Sequence, residues 1–200
     1  MKNIFSFIII CFIILIIIYN LYVTSTYDVT IIKSTIDYND YFVFKIKDFQ
    51  KAADTLGEIN QKIKKLFDEC RKDSSKTVDV ERMISKYDFD SLSELSPNSK
   101  YSAYSLNKGE KIKICLRDKN MNLINDINTT MFIICHELSH LMTVEEQHPP
   151  IFWKNMIYIL KKAEKCGICN VIDYSKNPVY YGSHYVNMNP IFKFKKKDIK

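Results

Sequence analysis

Clusters of basic side chains are missing from the body of this chain. Its 200 residues carry a formal net charge of +6, but the last eight residues, with five lysines and one aspartate, account for +4 of it. A nucleic-acid surface needs lysine and arginine gathered on the folded domain itself. The near-neutral body therefore argues against nucleic acid as a partner, and residues 191–200 are predicted to form a basic tail.

Pairing partners are also missing for the cysteines. Outside the apolar N-terminus the chain has five of them, Cys70, Cys115, Cys135, Cys166 and Cys169, an odd set that cannot pair completely within one chain. The last two, in "CGIC", have the spacing of a redox motif or of half a zinc finger, but there is no second such pair. We interpret this segment as a helix end closed by a glycine, with two ordinary thiols or one disulfide.

Apolar residues are in excess at the N-terminus. Residues 4–23 carry no charge, and twenty helical residues at about 1.5 Å each span the roughly 30 Å hydrocarbon core of a bilayer. A cleaved signal peptide, the alternative, usually has a shorter apolar stretch of about 7–15 residues that ends in small residues. The sequence therefore predicts a transmembrane anchor over residues 1–25. Lys2 favours a single-pass protein with a cytosolic N-terminus and the domain on the opposite side of a host or virion membrane.

The next segment, residues 26–100, is predicted to be a mainly helical part of the domain. "DYFVFKI" (Asp40–Ile46) has the composition of a strand. Asp48 is a candidate N-cap for an amphipathic helix that runs to about Lys72, because apolar residues recur there at helical spacing.

Residues 101–190 combine a hairpin signal with two helices. "KIKICLR" alternates polar and apolar residues after a turn at Asn107–Glu110. One helix is expected from about Ile127 and a second over Pro150–Lys165. Together with the preceding segment, this order predicts an α+β fold.

The stretch "CHELSHLM", residues 135–142, carries the strongest chemical signal. Residues at i and i+4 lie on the same face of a helix, so His136 and His140 can direct ring nitrogens at one point. Glu137 lies near that point without being aimed at it, which suits a base that takes a proton from a metal-activated water. Ionisable groups on an otherwise apolar helix would be costly to bury without a compensating cation. The pattern predicts a Zn²⁺ site with Glu137 as the catalytic residue.

A catalytic zinc site needs a third protein ligand and an open fourth position. The long metzincin pattern is excluded, because it would require Gly at 143 and His at 146, where this chain has Thr143 and Glu146. We expect His148 to be the third ligand, since it offers nitrogen just before a Pro-Pro turn. Glu145, Glu146 or a glutamate from a separate helix are the alternatives.

An oxyanion that forms when a metal-activated water attacks a carbonyl also requires a donor. Tyr181 and His184 are the candidates for this transition-state role, with Tyr180 beside them, because they follow the last predicted helix in a turn-rich segment. The strand "KIKICLR" is a candidate for aligning an extended substrate by strand addition.

The segment "HELSHLMTVEEQHPPIFW" resembles the active-site segment of the SprT-like and WLM families of zincin metalloproteases. "YSLNKGEKIKICLR" and "DYSKNPVYYG" further resemble uncharacterised proteins of large DNA viruses, some with an N-terminal membrane anchor. The resemblance covers residues 101–190. It implies a small zincin-like domain whose active-site helix packs against a short sheet, with His136, His140 and His148 as zinc ligands and Glu137 as the base.

Two functions follow from these observations. The first is a membrane-anchored zinc metallopeptidase that acts on a protein or peptide substrate and contacts a membrane through its N-terminal helix. The alternative is a catalytically inactive, zinc-stabilised, membrane-anchored structural or adaptor protein. In that case, a fourth ligand such as a free cysteine would close the metal site.

Overall fold

The computed structural model describes residues 2–24, 28–107 and 111–194, and on the first helix it describes the side chains of residues 6–19. The helices are α1 (Lys2–Thr24), α2 (Phe49–Arg71), α3 (Thr77–Lys86), α4 (Ile127–Met142), α5 (Pro150–Lys165) and α6 (Pro190–Lys193), with a 3-10 turn at Ser74–Lys76. The strands are β1 (Val29–Lys33), β2 (Asp40–Phe44), β3 (Leu92–Leu95), β4 (Ala103–Leu106), β5 (Lys111–Cys115), β6 (Val179–Tyr181) and β7 (His184–Val186). The α+β class is confirmed.

The predicted transmembrane anchor is wrong. Within the described residues, no helix combines the length and the apolar character that crossing a membrane requires. The predicted single-pass membrane location, with a cytosolic N-terminus and the domain on the other side, depended on this anchor and is therefore wrong as well.

A three-stranded mixed sheet has β5 at its centre. β3 pairs with β5 in parallel, and β4 pairs with it antiparallel from the other side. The predicted hairpin is thus formed by β4 and β5, although residues 108–110 of its expected turn lie outside the described residues. β1–β2 and β6–β7 form separate antiparallel pairs.

A buried ion pair joins these strands across the sheets. The Glu94 carboxylate in β3 accepts hydrogen bonds from the Phe44 N–H at the end of β2 (2.8 Å) and from the Arg117 guanidinium (2.7 Å). Arg117 also donates to the Lys47 carbonyl (2.8 Å). Both charged side chains are almost fully buried, so the pair fixes the β1–β2 unit against the three-stranded sheet.

The long helix α2 covers the predicted amphipathic segment. It buries the apolar positions that recur at helical spacing, among them Leu56, Ile59, Ile63 and Leu66. Asp48 precedes the helix as predicted, but its side chain makes no capping hydrogen bond because its backbone is left-handed, with φ 62°. The predicted helices from Ile127 and over Pro150–Lys165 are confirmed as α4 and α5.

The predicted basic tail is described only at its start. α6 packs near α5, and the Phe194 ring lies 5.3 Å from the Trp153 ring between centroids. Residues 195–200 lie outside the described residues.

Candidate metal centre

Helix α4 is held in the core on nearly every side. Its N-cap is Asp126, whose carboxylate accepts a hydrogen bond from the Thr129 N–H (3.0 Å). Its apolar residues are buried, including Met131, Ile134 and Leu138 at 0% exposure. A helix surrounded in this way cannot rotate to expose its polar residues, so His136 and His140 have fixed directions.

The connection from α4 to α5 is fixed by polar contacts on buried groups. The Thr143 hydroxyl donates to the Ser139 carbonyl (2.8 Å) and accepts from the Asn155 amide (3.1 Å). The Arg82 guanidinium donates to the Met142 carbonyl (2.6 Å). At Gln147 the backbone is left-handed, with φ 64°. The chain therefore turns directly after the second histidine, and this turn brings His148 back toward α4.

The three predicted histidines meet at one point. The ring centroids are 5.0 Å apart for His136 and His140, and 4.9 Å apart from His148 to each of the other two. One nitrogen from each ring lies within 4.8 Å of the others. The Nε2 atoms of His136 and His148 are 3.1 Å apart. The rings thus form a nearly equilateral triangle with converging nitrogens.

Aromatic side chains from α5 support this triangle. The fully buried Phe152 ring lies 4.9, 4.5 and 4.5 Å from the rings of His136, His140 and His148. Trp153 stacks on His148 with a centroid separation of 5.4 Å and an angle of 28°. The exposed His148 is therefore held in place by packing. Phe152 and Trp153, the aromatic residues after the Pro-Pro turn, have a structural role because they make these contacts.

Burial favours the neutral form of His136 and of His148. It lowers the pKa of His136 to about 3, and the nearby rings of His140 and His148 lower it further in the same direction. Burial also lowers the pKa of His148. Neutral imidazoles offer free lone pairs, which is the state that a metal ligand requires.

Glu137 is buried beside the triangle. Only 6% of the residue is exposed. Burial raises the pKa of its carboxyl to about 7, although the Ser105 N–H of β4 donates a hydrogen bond to it and lowers the pKa. A carboxyl group with a pKa near neutrality can both accept and return a proton. The contribution of Ser105 was not visible in the sequence, because nothing in the spacing places β4 over α4.

Two cavities of about 390 Å³ each open on this cluster, and His136 and Glu137 line both of them. The first also contains His140, His148, Glu145 and Glu146. The second extends toward β7. The outer strand of the sheet, β4, lines both cavities through Ala103. The predicted aligning strand "KIKICLR" is instead β5, at the centre of the sheet, and among the described residues β4 is the outer strand on the side of the cavities.

The two predicted transition-state residues lie in different places. His184 lines the second cavity, and its Nε2 atom is 2.5 Å from the Lys100 carbonyl oxygen. Tyr181 is buried, donates to the Cys115 carbonyl (2.7 Å) and accepts from the Thr130 hydroxyl (3.2 Å). It is not among the residues that line either cavity. Tyr180, named beside them, is exposed on β6.

The donor set fits a zinc ion. Two nitrogens on one tetrahedral zinc, at Zn–N distances of about 2.0–2.1 Å, lie about 3.3 Å apart, close to the 3.1 Å between His136 and His148. Within the described part of the chain, no fourth His, Cys, Asp or Glu joins the three histidines. Glu145 and Glu146, the alternative third ligands, line the cavity but are outside that group.

Comparison with known proteins connects this geometry to a family. Residues 46–179 match the WLM domain. An uncharacterised protein of Acanthamoeba polyphaga mimivirus is 31% identical over 154 residues, which cover 75% of this chain and 78% of that relative. No solved structure matches the chain.

Proposed function

Because the chain belongs to the WLM domain family, we propose that it is a zinc-dependent metallopeptidase. The family is metal-dependent and associated with metallopeptidase activity. The observation that carries the proposal is the convergence of three histidine nitrogens within 4.8 Å, with the Glu137 carboxyl lining the same cavities.

His136, His140 and His148 would hold the zinc ion. A bound zinc would supply Lewis acidity, which activates water and polarises the substrate carbonyl. The absence of a fourth protein ligand within the described residues is typical of a catalytic zinc site, because a structural site is closed by four protein ligands.

Glu137 is the proposed general base. Its carboxylate accepts a proton from the attacking water and returns it to the leaving amine. Its raised pKa, about 7, suits both transfers near neutral pH, because proton exchange is most effective when the pKa is near the working pH. The Ser105 N–H bound to the carboxylate holds it in one orientation.

The proposed substrate is a protein or peptide in extended conformation. The cavities on either side of His136 and Glu137 provide space for residues before and after the scissile bond. Within the described residues β4 is the outer strand of the sheet, and its edge can pair with an extended backbone by strand addition at the positions other than the Ser105 N–H, which binds Glu137. His184 lines the second cavity and is a candidate donor to the oxyanion only if its Nε2–H leaves the Lys100 carbonyl that it contacts in this structure.

The proposal is tested by comparing the full chain with its Glu137→Gln variant. We expect both to bind one zinc per chain and the variant to cleave an unfolded protein at least about 100-fold more slowly, because it lacks the general base. Glu81→Gln, which changes an exposed carboxyl on α3 that lines neither cavity, is the matched control and should keep its activity.

The outcomes separate the two candidate functions. A wild-type chain that binds zinc but is as inactive as Glu137→Gln across many substrates would contradict the peptidase and favour a zinc-stabilised structural or adaptor role. A chain that binds no zinc would contradict both.

A further inference from the structure

Helix α4 ends earlier than its own sequence requires. Its last residue is Met142, and the next five residues, "TVEEQ", contain neither glycine nor proline. Glutamate and glutamine are good helix formers. The first proline of the connection is Pro149, which disfavours helical backbone at the residue before it. The local sequence would therefore allow the helix to continue to about Gln147.

The position of this helix end decides where the third histidine lies. His148 is eight residues beyond His140, and in a continued helix it would lie about 12 Å further along the axis. In the structure the centroids of these two rings are only 4.9 Å apart. The early end of α4 is therefore a requirement for the histidine triangle.

The carbonyl groups at this end of α4 find partners outside the helix. A helix leaves its last carbonyls without an acceptor role inside it. The Thr143 N–H donates to the His140 carbonyl (3.3 Å), and the Arg82 guanidinium of α3 donates to the Met142 carbonyl (2.6 Å). In a longer helix, the Met142 carbonyl would accept from the Glu146 N–H instead. Arg82 takes the place of that donor, and its positive charge suits the negative end of the helix dipole.

Two neighbouring side chains hold Arg82 in this position. Asp79, three residues earlier on the same face of α3, accepts a hydrogen bond from Arg82 (2.8 Å). Lys76, which precedes the helix, pairs with the same carboxylate (3.4 Å). The side chains of Arg82 and Asp79 are only 24% and 26% exposed. We refer to Lys76, Asp79 and Arg82 as the α3 cluster.

The α3 cluster also reaches the residue that follows α4. The Lys76 ammonium donates to the side-chain carbonyl of Asn155 (2.9 Å), and the Asn155 amide donates to the Thr143 hydroxyl (3.1 Å). Asn155 lies on α5 and is fully buried. Met142 and Thr143 are thus both connected to the cluster, one directly and the other through α5. Hydrogen-bond networks among buried groups favour a single arrangement.

We propose that Arg82 is a positioning residue for the metal centre: its bond to the Met142 carbonyl ends α4 there and so brings His148 to His136 and His140. Arg82 acts through the backbone, because it lines neither of the two cavities at the histidines. Without it, α4 gains further residues and carries the third ligand away. This inference rests on the histidine triangle as the zinc site of the proposed function, and it is independent of peptide hydrolysis.

Hydrogen exchange of the metal-free full chain tests the helix end. The amides of residues 145–147 lie beyond the end of α4. We expect them to exchange several-fold more slowly in Arg82→Met, because a longer helix gives them carbonyl partners. Arg71→Met is the matched control, since Arg71 also pairs with an aspartate three residues earlier (3.5 Å) but lies on α2 and is half exposed. It should keep the wild-type rates.

Competition with a chromophoric chelator measures the zinc affinity of the same chains. We expect Arg82→Met to bind zinc about 10–100-fold more weakly, the loss typical of residues that support a metal ligand, and Arg71→Met to bind as the wild type does. Arg82→Lys keeps the charge and a donor but not the guanidinium geometry, so it should recover part of the affinity. Thermal unfolding of each metal-free chain shows whether the affinity follows this rescue or only the stability.

The proposal is overturned if residues 145–147 exchange at wild-type rates in Arg82→Met, or if this variant binds zinc as tightly as the wild type. A wild-type chain that binds no zinc would contradict the proposed function itself. The exchange measurement, made without metal, distinguishes that failure from a failure of the α3 cluster. If Arg82→Met does not fold, Asp79→Asn replaces it: this variant removes the charge that holds Arg82 and should show both effects more weakly.

Discussion

His148 is the residue whose role most clearly separates the candidate ligand sets. We expect His148→Ala to weaken zinc binding, because it removes one of the three converging nitrogens. Loss of a residue that only supports a metal ligand lowers metal affinity by about 10–100-fold, so loss of a ligand should have at least this effect. Competition with a chromophoric chelator measures the affinity. Glu145→Gln and Glu146→Gln are the controls, and a loss of zinc in either of them with none in His148→Ala would assign the third ligand to an acid.

Tyr181 was predicted to contact the transition state, but its hydroxyl has two bonds in the core, to Cys115 and Thr130. We expect Tyr181→Phe to lower the free energy of unfolding by about 1–3 kcal/mol, because buried polar groups lose their partner, and to leave turnover per folded molecule unchanged. Urea unfolding and a peptidase assay measure the two effects. Reduced turnover at unchanged stability would instead support the transition-state role.

At the residue scale, sequence spacing predicted the part of the site that is local. His136 and His140 share a helical face because they are four residues apart, and His148 follows them within a short connection that turns back at Gln147. Ser105 and Phe152 were not predicted as site residues. The first is brought to Glu137 by strand pairing, and the second by the packing of α5 on α4, and neither is encoded in local spacing.

At the scale of elements, α2, α4 and α5 were predictable because periodic apolar positions and prolines mark them. β2 and the β4–β5 hairpin were predicted as well, from strand composition and alternation, but β3 was not. β3 is "LSEL", four residues that are all buried although two are polar, so it lacks the polar and apolar alternation that identifies a strand. The buried Glu94 carboxylate is stable there because the Arg117 guanidinium and the Phe44 N–H donate hydrogen bonds to it. Because β3 was missed, the central strand β5 was mistaken for the edge.

Helices α2 and α5 are joined at their C-terminal ends by an ion pair that should make stability depend on pH. The Lys165 ammonium, 2.6 Å from the Glu69 carboxylate, and then Lys72 lower the pKa of Glu69 to about 2. The ordinary glutamate value is about 4.3. A lowered pKa means that the stabilisation is present above about pH 4.3 and is lost as pH falls toward 2.

We therefore expect Lys165→Met to destabilise the chain at pH 7 and to differ less from wild type as the pH approaches 2. Urea unfolding across this range measures the difference. Lys161→Met changes an exposed lysine of the same helix and is the control. An equal effect of Lys165→Met at every pH would mean that the lysine acts through packing of its aliphatic stem.

At the scale of the whole molecule, helix α4 both lies in the hydrophobic core and carries two of the three converging histidines. It belongs to one hydrophobic core that also includes residues from α2, α3, α5 and the sheet. The all-round apolar pattern of α4 predicted this central position. The same criterion, applied to the N-terminal run, predicted a membrane span that is wrong. Hydropathy reports the need for an apolar environment and cannot by itself identify that environment.

Zinc removal should therefore change the stability of the whole chain, because the ligands lie on the central helix and on the connection to α5. A metal that binds only the folded state, at a free concentration 100 times its Kd, stabilises by about 2.7 kcal/mol. For a domain of this size each kcal/mol shifts the unfolding midpoint by about 2–4 °C, so chelation should lower it by roughly 5–10 °C. Calorimetry with and without chelator measures the shift. His140→Ala, which removes a ligand, should unfold at the same temperature in both conditions. If chelation lowered the midpoint of His140→Ala as much as that of the wild type, the stabilising metal would lie outside the histidine triangle.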